Sequence, residues 1–567
     1  MTGGGGAGTQ VWKWINLSQL TGHAGFTVSA GNLTQTFQIG ARENGLDMDK
    51  FLFGMATNTF TVAELDAGGP GTPPASIVLP LPPDLVAGNL MQFNDNGNWT
   101  WYCDERSVID KARGNLIVGS DASPPGQTNY RCWNDDVQSY SDGTVQAIIA
   151  TRINNNVNGN DDSIAPNHAF FFCRYDGTNW NDTYLCQAGT KLYSSEADYV
   201  GLGCLSPNDP NTVFISTKYD PRAVQFGVTD TNPPYSNFHE IWKGVTTDHG
   251  ASFTWTPITQ NSTHDNLRPI VPAWDANNLA LLWFRATYNS AQSIDGAPVG
   301  LVERHAEVPV KMTYVDANTT NTTLATGAAL VTGTGTGQWH LRTTTGNNGD
   351  VLASADVVAE EAPTLETTVL VPSPGTYDVW VNFWGNPLSG PDWRIMAGMT
   401  TNQMQVYRQM ACKIVQPGDH NSTLVLTNAA TNFLYQSYVG RLTASSSNTV
   451  SVFVDDNAIA LGSMTTLVAS ANRTWYDGVS YAAVTPLQFG VTNVAYNANA
   501  KSVTFAWNSV PPGSSLLPQS FTVQKKNSLG DANWTTAATN LPSAGGTTSF
   551  SDNSATNGSA FYRITLP

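Results

Sequence analysis

Apolar and polar residues alternate in short runs along nearly the whole chain. "LIVGS", "TVQAIIATRI", "HAFFFCRY", "TVFISTKY", "ALLWFRATY", "TYDVWVNFW", "STLVLTN", "SVTFAW" and "SFTVQKK" follow one another, each bounded by Gly, Pro, Asn or Asp. A period of two predicts strands with one buried face, and the bounding residues predict turns. No long segment carries the 3.6-residue period of an amphipathic helix. The pattern predicts an all-β chain of sandwiches, barrels or propellers.

Punctuation in the pattern divides the chain. Asp66 to Asp84, "DAGGPGTPPASIVLPLPPD", is rich in Pro and Gly and reads as a stiff linker. A second change falls near "HAEVPVKMTYVDANTTNTT" and a third near Tyr481 to Phe489. The expected pieces are 1–65, the linker 66–84, 85–308, 309–482 and 486–567. A chain of 567 residues has room for roughly three to five domains.

The piece 85–308 carries the most informative stretch, "GVTTDHGASFTWTPITQNSTHDNLRPIVP", Gly244 to Pro272. Thr246, Asp248, Gly250 and Phe253 fit the Asp-box pattern S/T-x-D-x-G-x-T/S-W/F. In it the Asp caps a hairpin turn, the Gly supplies a positive φ, and the aromatic packs between sheets. His249 falls at a variable position and is expected in solvent. Both ends of this piece resemble the BNR-repeat (Asp-box) propeller family found among secreted polysaccharide lyases, such as ulvan lyases, and related rhamnosidases. The resemblance implies a β-propeller. About 220 residues hold four to five blades at roughly 45 residues each, so the propeller is expected to be shortened. The sequence departs from the family in the middle. Where lyases carry an Asp-Asp-His-Asn element, the nearest match is Asp161-Asp162-Ser163-Ile164, with Ser in place of His.

The flanking pieces resemble accessory sandwiches. The last looks like a fibronectin type III-like module, with Trp507 in an early strand and Tyr562 in the last. The third, with "PSPGTYDVWVNFWGNP" and "RTWYDGVSYA", resembles the jelly-roll sandwiches of secreted carbohydrate-active proteins. Trp380, Trp384, Trp393 and Trp475 are its candidates for stacking on sugar rings, against the alternative that they fill the core. Phe26 to Gly54 of the first piece looks like the closing strands of a carbohydrate-binding-like sandwich whose earlier strands are missing. Either the reading frame is shortened, or a neighbouring chain supplies strands and residues 1–65 self-associate through exposed sheet edges.

Composition narrows the class. The chain is 41% hydrophobic and 13% charged, against about 25% charged in typical soluble proteins. Its polar surface must come from Asn, Thr, Ser, Gln and Gly, a profile that suits an extracellular or cell-surface location, with a bacterial source expected. A formal net charge of −17 excludes nucleic acid and anionic membranes as natural partners. No apolar run approaches the ~20 residues of a membrane span. The start "MTGGGGAGTQVWKW" lacks the basic region and apolar core of a signal peptide, so either an export signal has been removed or the chain is incomplete at this end. Six cysteines, five within about one hundred residues, leave one or two disulfides and buried thiols equally open, and the lack of CxxC spacing speaks against zinc. Eleven Asn-x-Ser/Thr sequons, Asn181, Asn261 and Asn321 among them, are glycosylation candidates if the chain is exported.

A lyase acting on uronic acids needs a group to neutralise the carboxylate, a base for the C5 proton and an acid for the leaving oxygen. The candidates are His168, Tyr199, His239, His264, Arg268, Arg285, Tyr288 and His305. His264, Arg268 and Tyr288 form the most coherent group, near strand ends of one blade pair. Each has a plainer reading; Arg268 in "NLRPIVP" suits a tie between turn carbonyls. No Ser/His/Asp order, P-loop, HExxH or EF-hand loop is present, and no cofactor or metal is expected beyond calcium as a candidate at "DANTTNTT" or "NNNVNGNDD". The missing His element and the accessory sandwiches tip the reading toward a non-catalytic protein that binds polysaccharide or assembles as an extracellular structural component. The alternative is a polysaccharide lyase working by β-elimination.

Overall fold

Strands dominate the described chain, as the alternation predicts. The computed structural model describes scattered residues before 83 (among them 14–17, 34–38, 49–54 and 58–69). Beyond that it describes 83–566, apart from 93–106, 111–114, 119–129, 154–167, 194–197, 224–234, 276, 291–292, 305–306, 309–310, 335–336, 344–349, 355–361, 387–392, 417, 422–426, 429–431, 457–473, 487–489, 510–515, 518–519, 545 and 555–559. The chain forms two units, Met1–Pro80 and Leu81–Pro567.

In the first unit the strands expected over Phe26 to Gly54 fall largely outside the described residues, as does most of the linker. What is described includes a helix, Val62–Ala67, where only strands were expected. Its cause is local. Thr61 Oγ1 accepts from the Glu64 N–H, and the Glu64 carboxylate accepts from the Thr61 N–H at 2.7 Å. Gly68, at φ 68°, ends the helix in the left-handed region. A T-x-x-E box followed by Gly is a helix signal that the strand-seeking pattern passes over.

The second unit begins with a shortened propeller. The first blade is Tyr130–Ser139, Val145–Ile153, His168–Tyr175 and Trp180–Gly189. The second is Gly203–Leu205, Thr212–Thr217, Glu240–Val245 and Thr254–Pro257. The third is Asp265–Ile270, Asn278–Ser290 and Ser293–Arg304, and its fourth strand is Met91–Gln92 from the start of the region, with Val299 opposite Gln92. A hairpin, Ser107–Asp110 with Asn115–Val118, precedes the first blade. Among the described residues there are thus three full blades and one further hairpin, below the four to five that length allows.

Side chains from adjoining blades fill the spaces between them. Ile148, Phe172, Ile215 and Trp242 share one core, and Phe214, Ile241, Leu281 and Trp283 another. Polar joints fix the register: Asp135 and Asp136 of the first blade accept from the Gly203 and Leu205 N–H groups of the second, at 3.0 and 2.8 Å. The Arg268 N–H of the third blade donates to the Gly201 carbonyl at 2.7 Å.

The next part is a two-layer sandwich. An eight-stranded sheet centred on Gly375–Gly385, Asn432–Ala444 and Trp475–Ala483 faces a five-stranded sheet built around Leu365–Leu370 and Thr449–Asp455. Burial alternates strictly along Thr449–Asp455, the period-two pattern of a strand with one dry face. The last part pairs Val491–Asn497, Ser502–Ser509 and Gly546–Asp552 in one sheet, and Thr535–Pro542, Ser520–Lys526 and Phe561–Thr565 in another. Phe505, Trp507, Phe521 and Val523 lie between them. The chain is therefore a shortened β-propeller followed by jelly-roll-like and fibronectin type III-like sandwiches.

Buried polar contacts join these parts. The Gln92 side chain donates to the Val406 carbonyl at 2.6 Å and accepts from the Arg408 N–H at 3.2 Å. Arg408 meets Asp295 of the third blade at 2.8 Å. Lys243 of the second blade donates to the Leu516 carbonyl at 2.8 Å. Cys132, Cys173, Cys186, Cys204 and Cys412 are buried thiols, so no disulfide lies among the described residues. Burial pushes the Cys173 and Cys186 thiols far up, which keeps them unreactive.

Replacing Gln92 by Ala strands a buried carbonyl and a buried N–H between propeller and sandwich. The expected loss is about 2–3 kcal/mol, read as a lower urea midpoint with an unchanged slope for the first transition.

Candidate functional site

The blades share a plan that places their side chains at two ends. At one end lie the tight hairpins. Asp142, Asp209 and Asp275 stand in the hairpin between the first two strands of each blade, 67 and 66 residues apart. Each accepts from the N–H two residues on: Thr144 at 2.9 Å, Asn211 at 3.1 Å and Asn277 at 2.8 Å. These are Asx-turns. They also touch across blades: Tyr140 Oη donates to the Ser206 carbonyl at 3.0 Å, and Asn208 Nδ2 to the Asp275 carbonyl at 3.0 Å.

The turn around Asp248 belongs to this end too. Asp248 accepts from the Ser252 N–H at 2.9 Å, the Ser252 hydroxyl at 2.6 Å and the Thr246 hydroxyl at 2.7 Å. These bonds, that from the Ser252 hydroxyl foremost, hold its carboxyl at about 2. Gly250 has φ 92°, and a Cβ there would lie 2.1 Å from the Phe172 ring of the first blade. Phe253 packs edge-on against the same ring at 5.3 Å. His249 is exposed, at φ 61°. A second such turn, at Asp176, accepts from the Thr178 and Asn179 N–H groups at 2.8 Å each.

The opposite end gathers the buried pairs between basic and acidic side chains. Arg152, ten residues beyond Asp142, pairs with Asp198 at 2.7 Å. Arg285, ten beyond Asp275, pairs with Asp84. In the second blade the corresponding pair is His239 and Asp265, with Nδ1 2.8 Å from Oδ1 and the His239 N–H donating to the same oxygen at 2.9 Å. Asp198 and Asp265 lie 67 residues apart, each leading into the inner strand of the following blade. The Nε2 of His239 and the Nε and Nη1 of Arg285 are buried with no partner among the described residues.

The predicted trio is dispersed over this end. His264 is half-buried, its Nδ1 2.9 Å from Thr263 Oγ1. That hydroxyl also lies 2.8 Å from Asp84 Oδ2. A carboxylate only accepts, so Thr263 donates to Asp84 and accepts from His264, which puts the neutral imidazole lone pair on Nε2. Arg268 is buried at a β-bulge with φ 56°, tied by its backbone to Gly201. Tyr288 is buried and packs at 5.3 Å against Tyr193, which meets Tyr199 at 5.9 Å. His168 is buried opposite Arg152, and His305 lies outside the described residues.

The tryptophans of the sandwich are mostly inside. Trp384 is fully buried, its indole N–H donating to Asp477 at 2.9 Å. Trp380 is buried among Met312, Ala482 and Tyr438. These two rings fill the core, the alternative that their alternation left open, and offer no face to a sugar. Trp393 is buried, and half-buried Trp475 stands edge-on to it at 5.2 Å, with Arg342 5.7 Å over its ring. Of the two calcium candidates, "NNNVNGNDD" lies outside the described residues. In "DANTTNTT" the Asn318 and Asn321 oxygens accept from the loop's own N–H groups at 2.9 Å.

No protein-family model matches the sequence, and no curated protein matches it. Solved structures with a distant likeness include three carbohydrate-active enzymes. An exo-β-1,3-galactanase from Phanerochaete chrysosporium has a TM-score of 0.27 at 9% identity, over 71% of this chain and 100% of that one. A Paenibacillus xanthan lyase has 0.20 at 11%, over 75% and 38%. A Trypanosoma rangeli sialidase has 0.17 at 9%, over 66% and 84%. At these scores the likeness carries no functional argument.

Burial pushes His239 below its ordinary value of 6.5, more than the hydrogen bond to Asp265 raises it. Burial pushes Asp265 up, but the bond and charge of His239 and the charge of Lys218 outweigh it and leave the carboxyl low. Both shifts have one sign. The unfolded chain takes up the proton more readily, so this stability is complete above about pH 6.5 and falls as pH drops below it. His239→Asn is expected to flatten the fall of the urea midpoint between about pH 7 and 5.5. A residual slope stays from His420, which burial also depresses.

Proposed function

We propose that this is an extracellular protein that binds polysaccharide without cleaving it, its propeller serving as a rigid platform. One observation carries the reading: the propeller buries the charged and imidazole groups of Arg152, Arg285 and His239 in structural pairs, while two of its indoles, Trp180 and Trp274, stand on hairpins at the surface. Arg152, Arg285 and His239 are each buried against a carboxylate, where they hold strands and blades together. Trp180 is 53% exposed, on the Asp176 hairpin with Tyr175 at 5.5 Å, and Trp274 is 47% exposed beside Asp275. Flat, amphipathic rings set on rigid turns suit the apolar faces of sugar rings at low entropic cost.

A second reading, β-elimination on a uronic-acid glycan, is favoured by His264. It is half-buried rather than buried, and its Nδ1 is fixed by Thr263 and Asp84 so that Nε2 is the basic nitrogen. In that reading His264 would take the C5 proton, Arg268 would neutralise the carboxylate and Tyr288 would protonate the leaving oxygen.

Incubation with uronic-acid polysaccharides, followed near 235 nm, separates the two. No rise in absorbance is expected, together with retarded migration in gels containing the bound polysaccharide. A steady rise that His264→Ala abolishes would establish the lyase. Trp180→Ala and Trp274→Ala are each expected to weaken binding by roughly five- to thirtyfold, a cost of about 1–2 kcal/mol, with thermal unfolding unchanged.

A further inference from the structure

The last sandwich is open along one long side. In its first sheet the outer strand, Val491–Asn497, is exposed at every residue; Val491, Val494 and Tyr496 are 57, 64 and 62% exposed. In its second sheet Phe561–Thr565 is an edge among the described residues, paired on one side with Ser520–Lys526. Between the two edges lies a cavity of about 350 Å³ lined by Val491, Val494, Phe505, Trp507, Tyr562 and Ile564. The apolar core thus borders an opening, beside an edge strand able to pair.

We propose that a second copy of this chain fills the opening, the two Phe561–Thr565 strands pairing antiparallel across a two-fold axis. The strand is its own complement. Tyr562, Ile564 and Leu566 face the core of their own sandwich. A twin centred on Ile564 sets Ile564 opposite its counterpart and Tyr562 opposite Leu566, all on the core-facing side. The twin's Tyr562 and Ile564 then cover Val491 and Val494, and the reciprocal contact covers the same residues in the twin.

The outward face accepts this register. Arg563 bonds Gln524 at 2.7 Å and lies 4.7 Å over the Trp534 ring. With Ile564 at the centre it falls opposite Thr565, so the two guanidinium groups do not meet. A register centred on Arg563 would set like charges face to face and is disfavoured. The surface is distinct from the sheet edges expected in residues 1–65. Because each chain carries −17, apolar pairing between copies strengthens as salt screens their repulsion.

Sedimentation equilibrium of the full chain tests this. A dimer is expected, tighter at about 0.5 M than at 0.05 M salt. Val494→Asp changes an exposed residue and should leave circular dichroism and thermal unfolding as in the parent, while raising the dimer dissociation constant at least tenfold. Ile564→Lys should do the same from the strand side, and Val494→Asp stands as the measure if that variant unfolds. A monomer at every concentration overturns the proposal, and so does a dimer unchanged by Val494→Asp, which would rest on another surface. A monomer that instead binds a synthetic strand of alternating apolar residues assigns the opening to a different chain and overturns it as well.

Discussion

A propeller made from one chain must join its end to its beginning, and here Asp84 makes that join. It sits 2% exposed at φ 56°, ahead of the strand that completes the third blade. It takes the Arg285 guanidinium, the Thr263 N–H at 2.8 Å and the Thr263 hydroxyl, while its own N–H donates to the Asn261 carbonyl at 3.0 Å. A buried charge is tolerated only when paired and hydrogen-bonded. Asp84 satisfies both conditions using groups nearly two hundred residues away. Leu85–Val86 then pairs with Thr259–Gln260, and Met91–Gln92 can reach the outer edge of the third blade and the sandwich beyond.

The two ends divide the labour between local and distant chemistry. At the hairpin end each Asp meets N–H groups within a few residues of itself, so each turn is specified by its own short sequence. At the other end the buried pairs Arg152–Asp198, His239–Asp265 and Arg285–Asp84 cross between strands or blades. Glu240 shows the cost of that arrangement. It accepts from Thr259, and from the Ser262 N–H and hydroxyl, at 2.6–2.8 Å, yet burial still pushes its carboxyl up. Asp477 in the sandwich is pushed up to about 6 by burial, although Tyr314 and Trp384 both donate to it.

This division explains what could be read from the sequence. The turn at Asp248 was legible because its donors lie within four residues of that carboxylate. The spacing of Asp142, Asp209 and Asp275 was equally legible by comparing the chain with itself at a shift of about 67 residues, a signal that the search for a 45-residue blade missed. The partner of His239 was out of reach, since Asp265 is 26 residues away and only the fold brings it near. The tryptophans deceived for another reason. Gly375–Gly385 is a central strand covered on both faces: Val379, Val381 and Phe383 turn to one core, Trp380 and Trp384 to two others. Alternation tells which residues share a face, not whether that face is wet.

The repeated joint has a consequence for how such a chain changes over time. Each blade brings its own turn carboxylate and its own Arg or His, and the first two are followed by the acid that leads into the next blade. A whole blade can therefore be duplicated or deleted by one event that leaves every remaining joint intact. What cannot be lost is the clasp, because Asp84 and Met91–Gln92 serve the last blade whatever stands between. Blade number is free to drift among descendants, while the two ends of the domain are bound to evolve together.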